Sequence, residues 1–185
     1  MKKAQIAILA AVVITVTVLP SSASAEAPVT DFPILDAGNL RLRIPPSWRV
    51  ESHAVPGLPP TITLTPASGD AFRVILTPLP NLAGPTDPAE VRRTVEQTGK
   101  ALLSTAVEDT LQIEQIEGQE GTGYFYSLTD RAFSGQPGDF RHMTQGGMVV
   151  GELYLSVTVL AQTPESEALR LTMSMLQDSA HIPHD

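Results

Sequence analysis

At 185 residues, with a formal net charge of −8 and no cysteine, the chain excludes several chemistries at the outset. Thiol catalysis, thiolate metal sites and disulfide staples are all out, and a chain of this length can bury a core by packing alone. An acidic surface also argues against nucleic acid, or anionic lipid, as a partner held by bulk charge.

Residues 1–25 have the order of a secretory signal peptide: basic Lys2-Lys3, an apolar run from Ala4 to Leu19, and the small-residue site Ala23-Ser24-Ala25. The apolar run falls short of the roughly 20 residues that a membrane span needs. Cleavage is expected to leave a periplasmic or secreted protein starting near Glu26, with no stable membrane anchor and no cysteine for lipid attachment. Losing both leader lysines takes its charge to about −10.

Residues 26–39 read as a flexible lead-in. Leu40, Leu42 and Ile44 alternate with Arg41 and Arg43, which predicts a half-exposed strand ended by Pro45-Pro46. Trp48 opens a short run to about Ser52, and Ala54–Pro60 is a proline- and glycine-rich loop. Ile62 and Leu64 among threonines, then Phe72, Val74 and Leu76, predict a hairpin turning at Pro66–Asp70, followed by a loop over Pro78–Pro85.

Asp87-Pro88-Ala89-Glu90 is a helix start: a capping acid, proline at the first helical position and glutamate three residues after the cap. Val91, Val95, Leu102 and Ala106 share one face of that helix, and Gly99 within it suggests close approach to a sheet. Leu111, Ile113 and Ile116 predict a strand, and Thr122–Asp130 another, joined through Gly118–Gly121. Gly146-Gly147 reads as a tight turn between Phe140–Gln145 and a strand over about 148–162. Thr163-Pro164-Glu165 then predicts the start of a closing helix carrying Leu169, Met173 and Leu176, with residues 181–185 as a frayed tail. Two strand-rich halves, each followed by a helix, make a single α+β domain over 40–180. Its expected architecture is an antiparallel sheet flanked by helices, an α-β-α sandwich.

Ile44-Pro45-Pro46-Ser47-Trp48, Gly123-Tyr124-Phe125-Tyr126, Gly151-Glu152-Leu153-Tyr154 and the closing Met175-Leu176 resemble the PsbP-like family. The resemblance runs from Leu40 to Ala180 and implies an antiparallel sheet between helical layers. It also implies a binding or assembly accessory, the role of most members of that family, and supplies no ion- or partner-contacting residue that matches here.

Chemistry in the chain is sparse. Alternation puts Phe125 in the core and Tyr124 and Tyr126 on the opposite face, where they either pack beneath a helix or, with Gly135, Gly138, Gly146 and Gly147, form an expected interaction surface. Ser127, His142 and Asp130 or Asp139 lie on neighbouring predicted elements and could make a hydrolytic set, although no Gly-x-Ser-x-Gly elbow presents the serine. His181, His184 and Asp185 are suitable ligands for a weak metal tail. Glu108, Asp109, Glu114, Glu117 and Glu120 read as a solvated acidic edge rather than a calcium loop. Phosphate-cradling loops and dinucleotide fingerprints are absent, so no cofactor is expected. The sequence favours an exported, non-catalytic accessory of the bacterial envelope, whose partner is an envelope protein or complex. The alternatives are a small envelope hydrolase and a carrier holding a small apolar ligand between sheet and helix.

Overall fold

The computed structural model describes residues 27–80, 87–136 and 138–184. The leader therefore lies outside the described residues, as do part of the Pro78–Pro85 loop and Asp185. Ten strands and two helices follow one another as β1 (Val29–Ile34), β2 (Gly38–Arg43), β3 (Trp48–His53), β4 (Thr61–Pro66), β5 (Phe72–Pro80), α1 (Pro88–Leu102), β6 (Glu114–Gly118), β7 (Gly121–Thr129), β8 (His142–Val150), β9 (Leu153–Ala161), α2 (Glu167–Gln177) and β10 (Ala180–Ile182). The fold is α+β. A seven-stranded sheet runs β3-β4-β5-β9-β8-β7-β6, and a three-stranded one runs β1-β2-β10. Every described pairing is antiparallel.

Strand alternation divides the large sheet into two faces. Phe72, Val74, Leu76, Phe125, Met148, Leu155 and Val157 point to one side, where they share a core with Leu40 and Leu42 of β2 and with Met175 and Leu176 of α2. Tyr124, Tyr126, Leu128 and Tyr154 point to the other side, under Val91 and Val95 of α1. Helices thus sit on opposite faces. The small sheet shares the α2 side.

Several expectations are corrected. The stretch read as a flexible lead-in forms β1, with Phe32 and Ile34 buried against the core. Pro33 disguises it, and is tolerated because β1 is an edge strand. β5 likewise runs through Pro78 to Pro80, pairing with β9 as far as Leu153. Its pairs with β4 are described only as far as Leu76, so neither proline lies where a ladder donor is needed on both sides. Leu111 and Ile113 pack under α1 from a loop, and the strand itself starts at Glu114.

Gly146-Gly147 is not a turn: both lie inside β8, opposite Phe125 and Tyr124. The hairpin closes through Gly151-Glu152 between paired Val150 and Leu153, with Gly151 at φ 57° supplying the left-handed residue. The closing helix begins three residues later than Thr163-Pro164 suggested. Ser166 caps it by accepting from Leu169 N–H at 3.2 Å, while Glu165 sits at φ 51°. Asp87 caps α1 as its sequence predicts, accepting from Ala89 N–H at 2.8 Å. The expected frayed tail is a strand for its first part: β10 pairs with β2 through His181 and Leu40.

Candidate functional site

A cavity of about 340 Å³ opens where the end of α1 meets the ends of β7, β8 and β9. Its floor is one cross-strand row, Leu128–Met143–Leu160, set by the registers of β7, β8 and β9. Leu102 and Ala106 roof it from α1 and the turn after it, and Phe140 and Arg141 stand at the end of the β7–β8 loop. The row continues into β5, because Arg73 pairs with Leu160. The Arg73 guanidinium lies 5.3 Å from the centre of the Phe140 ring, and that of Arg141 lies 5.7 Å from Phe133. Both contacts fall in the range of cation–π attraction.

The expected interaction surface comes apart here. Tyr124 and Tyr126 are buried beneath α1, at 8% and 1% exposure, rather than turned outward. Arg92 covers Tyr124, with its guanidinium 5.9 Å from the ring centre, and Tyr126 Oη donates to Gln145 Oε1. Burial pushes the Tyr126 phenol up to about 12 and also raises Tyr154. Alternation does put them opposite Phe125, and that opposite face is the one α1 covers in the sandwich. Gly146 and Gly147 are buried as well. Gly135 and Gly138 remain exposed, in left-handed conformations in the loop beside the cavity.

At the edge of the cavity, whose lining includes both, Thr129 and His142 form a cross-strand pair, one register position beyond the Leu128–Met143 floor and alternating to the other sheet face. Thr129 Oγ1 is 3.1 Å from His142 Nδ1 and donates to Glu108 Oε1 at 2.7 Å; Thr129 N–H donates to Glu108 Oε2 at 2.8 Å. Val107 N–H donates to Thr129 C=O at 2.9 Å, so residues 107–108 close the free edge of β7 beyond β6. Burial pushes the Glu108 carboxyl up, but the hydrogen bonds from Thr129 and the nearby His142 hold it below the usual range. Burial and the Arg141 charge lower His142, against the pull of Glu108.

The hydrolytic set expected from sequence does not assemble. Ser127 bonds Thr144 across the strands at 2.8 Å. Asp130 accepts from Ala132 N–H at 2.8 Å, and Asp139 accepts from Ser134 Oγ and from Gln136 N–H at 3.2 Å. His142 instead meets Thr129 and, through it, Glu108. A nucleophilic triad places the base between acid and hydroxyl; here the hydroxyl is between acid and base, with its proton committed to the carboxylate. Glu108, expected in a solvated acidic edge, is instead tied to Thr129, a partner 21 positions away that no local pattern reveals.

Of the expected metal tail, Asp185 lies outside the described residues and His181 is turned into the fold. His181 is 6% exposed. Its Nε2 faces Ala37 C=O at 2.5 Å, and its Nδ1 accepts from Glu152 N–H at 3.2 Å, so neither ring nitrogen is left for a metal. No cluster of three or more His, Asp or Glu suited to a metal ion occurs among the described residues.

No family model and no curated protein matches the sequence. Solved structures do match. The solution structure of cyanobacterial PsbP (CyanoP) from Synechocystis superposes on 88% of this chain and 97% of its own, with a TM-score of 0.51 and 7% identity. The chain has a PsbP-like fold. A crystal structure from Bacteroides thetaiotaomicron matches 78% of this chain and 46% of its own, at 8% identity and a TM-score of 0.37. At such identities the PsbP-like likeness concerns the fold alone. No described helix is long and apolar enough to cross a membrane.

Proposed function

We propose that the protein is an exported, non-catalytic binding accessory of the bacterial cell envelope, and that it binds at the α1 end of the sheet. The leader pattern in residues 1–25 supports export. The observation that carries the binding reading is the apolar cavity of about 340 Å³, a size suited to a small ligand. Strand alternation turns the Thr129 and His142 side chains away from its Leu128–Met143–Leu160 floor. A ligand on that floor lies against hydrocarbon, with Arg141, Asp130, Thr129 and His142 at the edge of the cavity and the Thr129 hydroxyl proton held by Glu108. The resemblance to PsbP-like proteins, many of them accessories, agrees with this.

The test uses protein recovered from the envelope of cells expressing the full chain, as wild type, Leu160→Trp and His142→Gln. Native mass spectrometry of the wild type is expected to show a co-purifying small molecule, lost from Leu160→Trp and kept by His142→Gln. No variant should hydrolyse a panel of acyl and phosphoryl esters. Turnover by wild type that disappears in His142→Gln would establish the hydrolase instead.

A further inference from the structure

Two features of the cavity have complementary chemistry. The floor and roof are hydrocarbon: Leu128, Met143, Leu160, Leu102 and Ala106. The rim is cationic, in a protein whose net charge is −8. Arg141 lines the opening, and Arg73 backs Phe140, itself part of the wall. Among the described residues no carboxylate pairs with either guanidinium, unlike Arg41 with Asp31 or Arg170 with Glu167. Asp130 also lines the wall and keeps its charge while its Oδ1 accepts from Ala132 N–H, so an anion is directed to the Arg141 side of the opening. Asp139, in the same loop, is held by Ser134 and Gln136. Arg141 therefore stands at the mouth, with Arg73 behind the Phe140 wall, and each guanidinium has an aromatic ring as its described partner, leaving its donors for an anion.

We propose that this cavity binds a small amphiphilic anion, a hydrocarbon chain ending in a carboxylate. The chain lies along Leu128, Met143 and Leu160, and the carboxylate meets Arg141, with Arg73 reinforcing the field. At about 30 Å³ per heavy atom, the volume holds a chain of about ten such atoms. A guanidinium forms charge-assisted, two-pronged hydrogen bonds with a carboxylate, which fixes the head at the mouth and the tail inside. This rests on the binding reading above and names the ligand class for the same site.

The experiment is a titration of the protein, purified from the envelope of cells expressing the full chain, with octanoate, decanoate and dodecanoate. Decanol and decyltrimethylammonium serve as head-group controls, and methyl NMR shifts of Leu128, Met143 and Leu160 report occupancy. Affinity should rise about fourfold per added methylene until the cavity is full. Decanoate should bind more tightly than decanol, and decyltrimethylammonium should leave the shifts unmoved. Arg141→Gln combined with Arg73→Gln should weaken decanoate on the order of ten-fold and decanol hardly at all. Leu160→Trp should block all three carboxylates; should it fail to fold, the wild-type shifts and the arginine variant decide. Equal binding of all three head groups overturns the anion assignment but leaves the binding reading standing. Unmoved methyls with every probe overturn the inference outright, while ester turnover strikes the binding reading itself.

Discussion

The phenol of Tyr154 lies across Gly147 of the neighbouring strand, so that a Cβ on Gly147 would stand 2.6 Å from Tyr154 Cζ. One position earlier, Gly146 faces the opposite way beneath Phe125, whose Cγ would be 2.7 Å from a Cβ there. The two glycines thus let an aromatic side chain settle on each face of β8, Tyr154 under α1 and Phe125 in the α2-side core. Alanine at Gly147 should cost about 1–3 kcal/mol, the usual penalty of overpacking. Alanine at Gly146 should cost more, because the backbone carbonyl of Tyr124 also blocks its Cβ and has less freedom to yield than a ring. Urea unfolding of the two variants tests this; wild-type midpoints for both would show that the aromatic rings have other room.

That pair also explains what the sequence revealed and what it hid. Alternation identified Phe125 as core, and the Asp87-Pro88 cap placed α1 within a residue of its start. Two adjacent glycines have the same signature whether they bend a chain or admit neighbouring rings, and which applies depends on residues 7 and 21 positions away in sequence. Pro33 and Pro78 misled for a related reason: a proline within a strand is harmless where no partner asks for its missing N–H, and only the pairing order reveals that. The candidate site was harder still. Its floor comes from three strands and its roof from a helix end, so no local pattern marks it. The histidine, the acid and the hydroxyl were visible as residue types, but their order in space was not.

His181 joins three elements that sequence analysis left unconnected. Its ring reaches Ala37 in the β1–β2 turn and Glu152 in the β8–β9 turn, and its own N–H donates to Glu120 Oε2 at 2.7 Å. Replacing it by phenylalanine keeps the bulk but removes the partners of the half-buried Ala37 carbonyl and of the N–H of exposed Glu152, at about 1 kcal/mol in total. The loss should be local first. Amides of β2 and β10, paired through Leu40 and His181, are expected to exchange faster, while those of β7 keep their protection. Zinc added to the wild type should leave Tm unchanged. Uniformly wild-type exchange in His181→Phe would mean that β10 is held by backbone pairing alone.

The Glu108–Thr129–His142 set predicts how stability follows pH. Both ionisable members are depressed in the folded protein, His142 from 6.5 and Glu108 from 4.5. A depressed group takes up protons more readily when unfolded, so its contribution is complete above the unfolded value and is lost as pH falls toward the folded one. Stability should therefore begin to decline just below pH 6.5 as His142 resists protonation, and decline further below 4.5 as Glu108 is forced to release Thr129. His142→Gln should remove the upper step, and Glu108→Gln should shrink the lower one, to which the exposed, ion-paired Asp31, Glu96 and Glu167 also contribute. Thermal unfolding between pH 8 and pH 3 separates the two, provided both variants fold. A wild-type Tm that rises on acidification from pH 7 to pH 5 would contradict the sign for His142, and with it the arrangement in which Arg141 and burial outweigh Glu108.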